Sequence, residues 1–166
     1  VPFADRDTAG EKAIGPVERP KPCHNDLLAA NLIDDGRLIR VIDWEYAAMG
    51  DVFFDLGNFA VNQGLDEEQS GLLLKEYFGE ERPEDLAKLA LYRLASDLRE
   101  AFWGFLQEGL SSLDFDFAAY GRKHLERFSR GARGPEFSRR LETARASRPQ
   151  RRLRRTAVPK SSTENL

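Results

Sequence analysis

Two short stretches decide the reading of this chain: Cys23-His24-Asn25-Asp26-Leu27-Leu28-Ala29-Ala30-Asn31 and Val41-Ile42-Asp43-Trp44-Glu45-Tyr46. Asn31 follows Asp26 by five residues, and Asp43 follows Asn31 by twelve. The apolar run Leu38-Ile39-Arg40-Val41-Ile42 reads as a strand that delivers Asp43 at its end. Leu32-Ile33, the turn Asp34-Asp35-Gly36 and Arg37–Ile42 together make a hairpin signal, because Asp-Gly suits positive φ. A carboxylate on a loop can orient and deprotonate an alcohol. An amide oxygen at the loop's end and a second carboxylate at a strand end can face one hard cation, which prefers oxygen ligands and keeps several waters.

Taken singly, each residue has an ordinary explanation. Asp and Asn in loops are commonly turn or cap residues, and His24 could be a hydrogen-bonded core histidine. Taken together, H-x-D-x-x-x-x-N followed by a strand ending in Asp is the arrangement of the kinase catalytic loop and its metal-binding Asp. Phosphoryl transfer needs little covalent help; it needs positioning and charge neutralisation, which these residue types supply.

The sequence from Cys23 to Ala60 resembles the aminoglycoside phosphotransferase and choline kinase superfamily, and within it the bacterial choline/ethanolamine kinase-like proteins. His-Asn-Asp stands for His-Arg-Asp, and Asp-Trp-Glu-Tyr for Asp-Phe-Gly. The resemblance implies an α+β fold, a protein-kinase-like C-terminal lobe that is mainly helical, with a short β-hairpin carrying the metal-binding Asp. It implies Asp26 as catalytic base, and Asn31 and Asp43 as Mg²⁺ ligands and contacts to the ATP co-substrate. His24 and Asp55 then hold the loop from behind. It runs from Pro22 to about Phe128.

The helical region speaks to the acceptor. Phe102-Trp103 and Leu113–Tyr120 resemble segments that supply an aromatic wall for a quaternary ammonium group, where a weakly hydrated cation meets ring faces. Trp103 and Tyr120 are the expected wall, with Phe117 a lesser candidate. Ordinary core packing accounts for aromatics at helical spacing equally well. Where eukaryotic choline kinases place a Glu after the FDLGN-like segment, Asn62 stands here, which removes a negative charge from the substrate-binding side. Choline or ethanolamine is the favoured acceptor. An aminoglycoside-type kinase shares the same three polar residues, and an inactive remnant acting as a binding module is the alternative outside catalysis.

Composition sets the frame. The chain has 166 residues, 41% hydrophobic content and eleven Phe, which fits a globular domain rather than a disordered one. One cysteine excludes an internal disulfide and a cysteine-based zinc site. No eighteen-residue apolar run and no signal-peptide core exist, so a cytoplasmic protein is expected. The charge is uneven. Residues 1–129 hold 14 Lys/Arg against 25 Asp/Glu, a net −11, and residues 130–160 hold 11 against 2, a net +9. A basic tail over 130–166 without aromatics reads as solvated and disordered, and nucleic acid is not an expected partner.

Helices are expected over Val52–Val61, Leu65–Phe78 (capped by Asp66 and stopped by Gly79), Pro83 to about Gly109, and Phe115–Phe128, capped by Ser112 or Asp114. Residues 1–21 read as an irregular lead-in and 22–129 as the phosphotransferase lobe. The 23 residues before His24 contain no G-x-G-x-x-G and no strand lysine followed by a helix. Those parts cover the nucleotide in a complete kinase. The expectation is therefore a truncated form, inactive by itself.

Overall fold

The computed structural model describes residues 20–145. Residues 1–19 and 146–166, which hold most of the expected lead-in and the end of the expected tail, lie outside the described residues. Among the described residues four three-residue strands come first. β1 (Lys21–Cys23) pairs antiparallel with β4 (Ala48–Gly50), and β2 (Leu32–Asp34) pairs antiparallel with β3 (Ile39–Val41). In the β2–β3 turn Gly36 takes φ +80°, and its N–H donates to Asp34 Oδ1 at 2.8 Å. The Leu38 and Arg37 N–H groups both donate to Asp35 Oδ1. The β1–β4 pair is an addition to the expected hairpin; strands of three residues show no alternation to read.

Five α-helices follow among the described residues. They are α1 (Val52–Asn62), α2 (Glu67–Phe78), α3 (Pro83–Leu110), α4 (Phe117–Arg133) and α5 (Glu136–Arg145). Asp51 caps α1 through the Phe53 N–H. Asp66 and Gln69 form a reciprocal capping box on α2, which ends on Gly79 at φ +83°. Pro83 opens α3, where its missing N–H costs no helical bond. The cap of α4 is Asp116, whose side chain accepts from the Ala119 N–H, and neither Ser112 nor Asp114 takes that place. Short i→i−2 contacts, from Phe115 N–H to Leu113 O and from Phe117 N–H to Phe115 O, keep the segment before it in turns.

Phe53, Leu56, Leu74 and Leu89 form the main core, with Tyr77, Phe78 and Tyr92 packed around it. Each such side chain contributes about 1.5–3 kcal/mol on burial. Two close approaches set how the other helices lie on α3. A Cβ added at Gly57 would sit 2.8 Å from the Tyr92 backbone. One at Gly104 would sit 2.9 Å from the Gly121 backbone nitrogen. Small residues there bring α1 and α4 against α3, and these contacts position the site.

The expected tail boundary at residue 130 does not hold. α4 continues to Arg133, and α5 packs Ala144, Phe137 and Leu141 against Ala87 and Leu91 of α3. The basic composition hides an apolar stripe at i, i+4 and i+7, which is sufficient to bind a short helix to the body. The expected apolar stripe of α3 also turns outward at its end: Phe102, Phe105 and Leu106 are exposed. Among the described residues no helix is long and apolar enough to cross a membrane.

Candidate active site

The loop from His24 to Asn31 is held from outside by helices. Asp55, in the first turn of α1, accepts the His24 N–H on Oδ2 at 2.8 Å and the Asn25 N–H on Oδ1 at 2.7 Å. One turn later Asn58, fully buried, accepts the Leu27 N–H at 2.6 Å. Its Nδ2 donates to Ser96 Oγ and Glu100 Oε1 on α3. Three loop amides thus end on one helix face. Asn25 takes φ +66°, a conformation Asn tolerates better than most residues, and its Nδ2 donates to the Tyr46 carbonyl.

His24 is buried and fixed as one tautomer. Its Nδ1 accepts the Asp26 N–H at 3.2 Å, so the proton sits on Nε2, which donates to the Ile42 carbonyl at 2.8 Å. The Trp44 ring meets it edge-on at 4.7 Å. The histidine therefore ties the loop to the strand end just before Asp43.

Asp26 keeps 13% of its side chain exposed. Arg99 of α3 donates through Nη2 to Asp26 Oδ1 at 2.9 Å and through Nη1 to the Asn25 carbonyl. Asn31 Nδ2 donates to the Asp26 carbonyl at 3.0 Å and to Oδ2 at 3.3 Å. The carboxylate is oriented from both sides, with lone pairs of Oδ2 left for a further partner.

Asn31 is joined to the Asp43 strand end by the Ile42 N–H, which donates to the Asn31 carbonyl at 3.0 Å. Asp43 is exposed and takes φ +62°, an uncommon conformation for a residue with a Cβ. Among the described residues no cluster of three His, Cys, Asp or Glu side chains could hold a metal ion. The donor set of Asn31 and Asp43 fits a divalent cation that draws its remaining oxygens from phosphates and water, as Mg²⁺ does. Both hydrogen bonds of the Asn31 amide are donated by Nδ2, which leaves Oδ1 as the oxygen for such an ion.

The expected wall residues do meet. Trp103 lies 5.9 Å from Tyr120 and 5.7 Å from Phe117, both edge-on, and Phe115 contacts Phe117 and Tyr120. Tyr120 donates to the buried Glu100 at 2.8 Å. Burial first and Glu100 second push its hydroxyl well above the usual tyrosine range. Tyr46 joins this group beneath the Arg99 guanidinium, 5.4 Å from its ring. A hydrogen bond with Glu45 raises its hydroxyl, against an opposing one from Trp103. Asp26's charge reaches both tyrosines. Asn62 ends α1 with its Nδ2 buried and without a partner among the described residues. No hydrogen bond among the described residues joins that Nδ2 to Trp103 or Tyr120. Cys23 is buried and its thiol is pushed up to about 11, chiefly by burial and then by Asp55, so it is not a nucleophile.

Arg99, Glu100 and Asn58 escaped the sequence reading. Asn58 had a signal, since Asp55 and Asn58 are the polar i, i+3 pair on an otherwise apolar helix.

Residues 11–92 match the phosphotransferase enzyme family, APH, a span that contains Asp26, Asn31 and Asp43. The chain carries an APH phosphotransferase family domain. The match begins upstream of Pro22, where the resemblance was expected to start. The chain is homologous to choline and ethanolamine kinases. It is 27% identical over 132 residues to a probable choline kinase 2 of Arabidopsis thaliana, covering 64% of this chain and 38% of that protein. It is 32% identical over 119 residues to ethanolamine kinase 2 of Homo sapiens, covering 59% and 31%. A choline/ethanolamine kinase family protein from Mesorhizobium loti has the same fold, with a TM-score of 0.74 and 32% identity over 83% of this chain and 47% of that one. This APH domain therefore has the kinase-like fold and spans less than half the length of these relatives.

Proposed function

We propose that this chain is the catalytic-loop lobe of an ATP- and Mg²⁺-dependent phosphotransferase acting on the hydroxyl of a small amino alcohol, choline or ethanolamine. The observation that carries it is the Asp26 carboxylate, held by Arg99 and Asn31 beside a group of aromatic rings. The acceptor hydroxyl approaches Asp26 Oδ2, which orients it and takes its proton. The hydroxyl oxygen bonds to the γ-phosphorus as the bond to the β–γ bridging oxygen breaks. Mg²⁺, held by Asn31 and Asp43, neutralises phosphate charge when bound. His24 and Asp55 act through the loop and touch no substrate.

Trp103 and Tyr120 are the wall for the ammonium group, and the buried Glu100 supplies the negative charge that Asn62 lacks. A cluster of rings with the carboxylate of Glu100 bonded to Tyr120 supports a small, weakly hydrated ammonium over a polycationic aminoglycoside, which calls for several carboxylates. ATP dependence makes the cytoplasm the compartment of this reading. The test is phosphorylation of choline, ethanolamine and kanamycin by the protein at its full natural length with Mg²⁺-ATP. Choline or ethanolamine is expected to be phosphorylated, and kanamycin not. Turnover on kanamycin alone would overturn the acceptor assignment.

A further inference from the structure

A cavity stands apart from Asp26, which is not among the residues that line it. It measures about 830 Å³ and lies on a different face of α3, bounded by the α1–α2 connection, α4 and α5. Its lining includes the apolar Leu65, Leu86 and Leu94 and four arginines, Arg93, Arg127, Arg139 and Arg140, against three acidic residues, Asp66, Glu67 and Asp97. A volume of this size suits a small organic molecule.

The charges there are unevenly satisfied. Arg127 binds Asp97, which also takes His124 Nδ1 at 2.9 Å, and Arg139 binds Glu136. Asp66, also in the lining, is committed to capping α2. Arg93 is half-buried, and its hydrogen-bond partners among the described residues are neutral, Ser70 Oγ at 2.9 Å and the Leu65 carbonyl at 2.7 Å. Arg140 is half-buried with no carboxylate partner among the described residues. Burial pulls the Arg93 guanidinium below its usual range; Asp97 opposes this, Arg127 and Arg140 add to it, and Asp66 opposes it more weakly. Like charges gathered around a half-buried cation cost free energy, and an anion placed between them recovers it.

We propose that this cavity is a second binding site, which takes a small molecule bearing a phosphate group on an apolar body. The phosphate meets the guanidinium forks of Arg93 and Arg140, and the apolar body lies on Leu86 and Leu94. Guanidinium pairs with phosphate through two parallel hydrogen bonds, which favours phosphate over a point-like anion. The site is separate from the Asp26 chemistry and does not depend on it.

The probes are phenyl phosphate, inorganic phosphate and benzoate, titrated calorimetrically into the 166-residue chain at constant ionic strength. Phenyl phosphate should saturate at one site and bind more tightly than either of the others. Arg140→Gln should weaken it at least about tenfold, as expected for loss of a charge-assisted hydrogen bond. Arg122→Gln, on the exposed side of α4, should leave it unchanged. A melt of each variant verifies folding, and Arg139→Gln provides a second, milder reduction should Arg140→Gln unfold. Absence of saturable binding, or binding indifferent to both Arg140→Gln and Arg139→Gln, would overturn the site. Benzoate binding as tightly as phenyl phosphate would overturn the choice of phosphate.

Discussion

The two segments that carry the candidate chemistry are built in opposite ways. The loop of Asp26 is tied to distant helices: Asp55, Asn58 and Arg99 reach it from 30 or more residues away in sequence. The hairpin of Asp43 is held by its own turn, through Asp34, Asp35 and the exposed Arg40–Asp35 pair. Its apolar residues Leu38 and Ile39 are 60% and 67% exposed. Helix packing fixes the proposed base, whereas the Asp43 strand end rests on its own turn and on two ties at Ile42, to His24 and to the Asn31 carbonyl. A base needs its geometry set before substrate arrives. A cation ligand can adjust, because the ion brings its own water and phosphate oxygens.

The strongest way to break this contrast is to remove the loop's outside support. Asp55→Ala orphans two loop N–H groups, each costing about 1–3 kcal/mol if it finds no other partner. A denaturant titration should show that loss, with turnover lost alongside it. Stability unchanged in Asp55→Ala would mean that the loop supports itself, and the contrast would fail. Gly104→Ala probes the same scaffold at the α3–α4 crossing and should cost about 1–3 kcal/mol by overpacking.

Asp43→Gly sharpens the other side. It relieves the φ of +62° and should leave stability unchanged or raise it by about 1 kcal/mol. Mg²⁺-dependent nucleotide affinity should fall at the same time, read by titration with and without the metal. A fall in stability with unchanged nucleotide affinity would make Asp43 a structural residue.

The smallest effect concerns pH. The N–H groups of Leu38 and then Arg37 hold the Asp35 carboxyl below its usual 3.8. A depressed carboxyl stabilises the folded turn above the unfolded pKa, and that contribution is lost as pH falls through the lower folded value. Protection of the hairpin amides, measured relative to their intrinsic exchange, should therefore fall below pH ~4, and Asp35→Asn should remove that dependence. An unchanged pH profile in Asp35→Asn would show that another group controls the turn.

What was legible in the sequence follows the same division. Local signals were readable: the Asp34-Asp35-Gly36 turn, the Asp66 cap, Gly79, Pro83, and the spacing of Asp26, Asn31 and Asp43. Long-range ties were not, because nothing local marks Arg99 on α3 as the partner of a carboxylate 73 residues earlier. The β1–β4 pair was too short to show a pattern. α5 was hidden by the opposite fault, a true apolar period at Phe137, Leu141 and Ala144 outweighed by the charge of its surroundings.

The central claim is that Asp26 is the base, and Asp26→Asn tests it most directly. The substitution keeps the size of the side chain and one acceptor oxygen for Arg99, while replacing Oδ2, the proton acceptor, with an NH2 group. In the protein at its full natural length, kcat for choline or ethanolamine should fall by about 10²–10⁴-fold. ATP affinity, measured on the same preparation, should stay within about twofold, since no step of nucleotide binding uses Asp26. Wild-type kcat in Asp26→Asn would contradict the account.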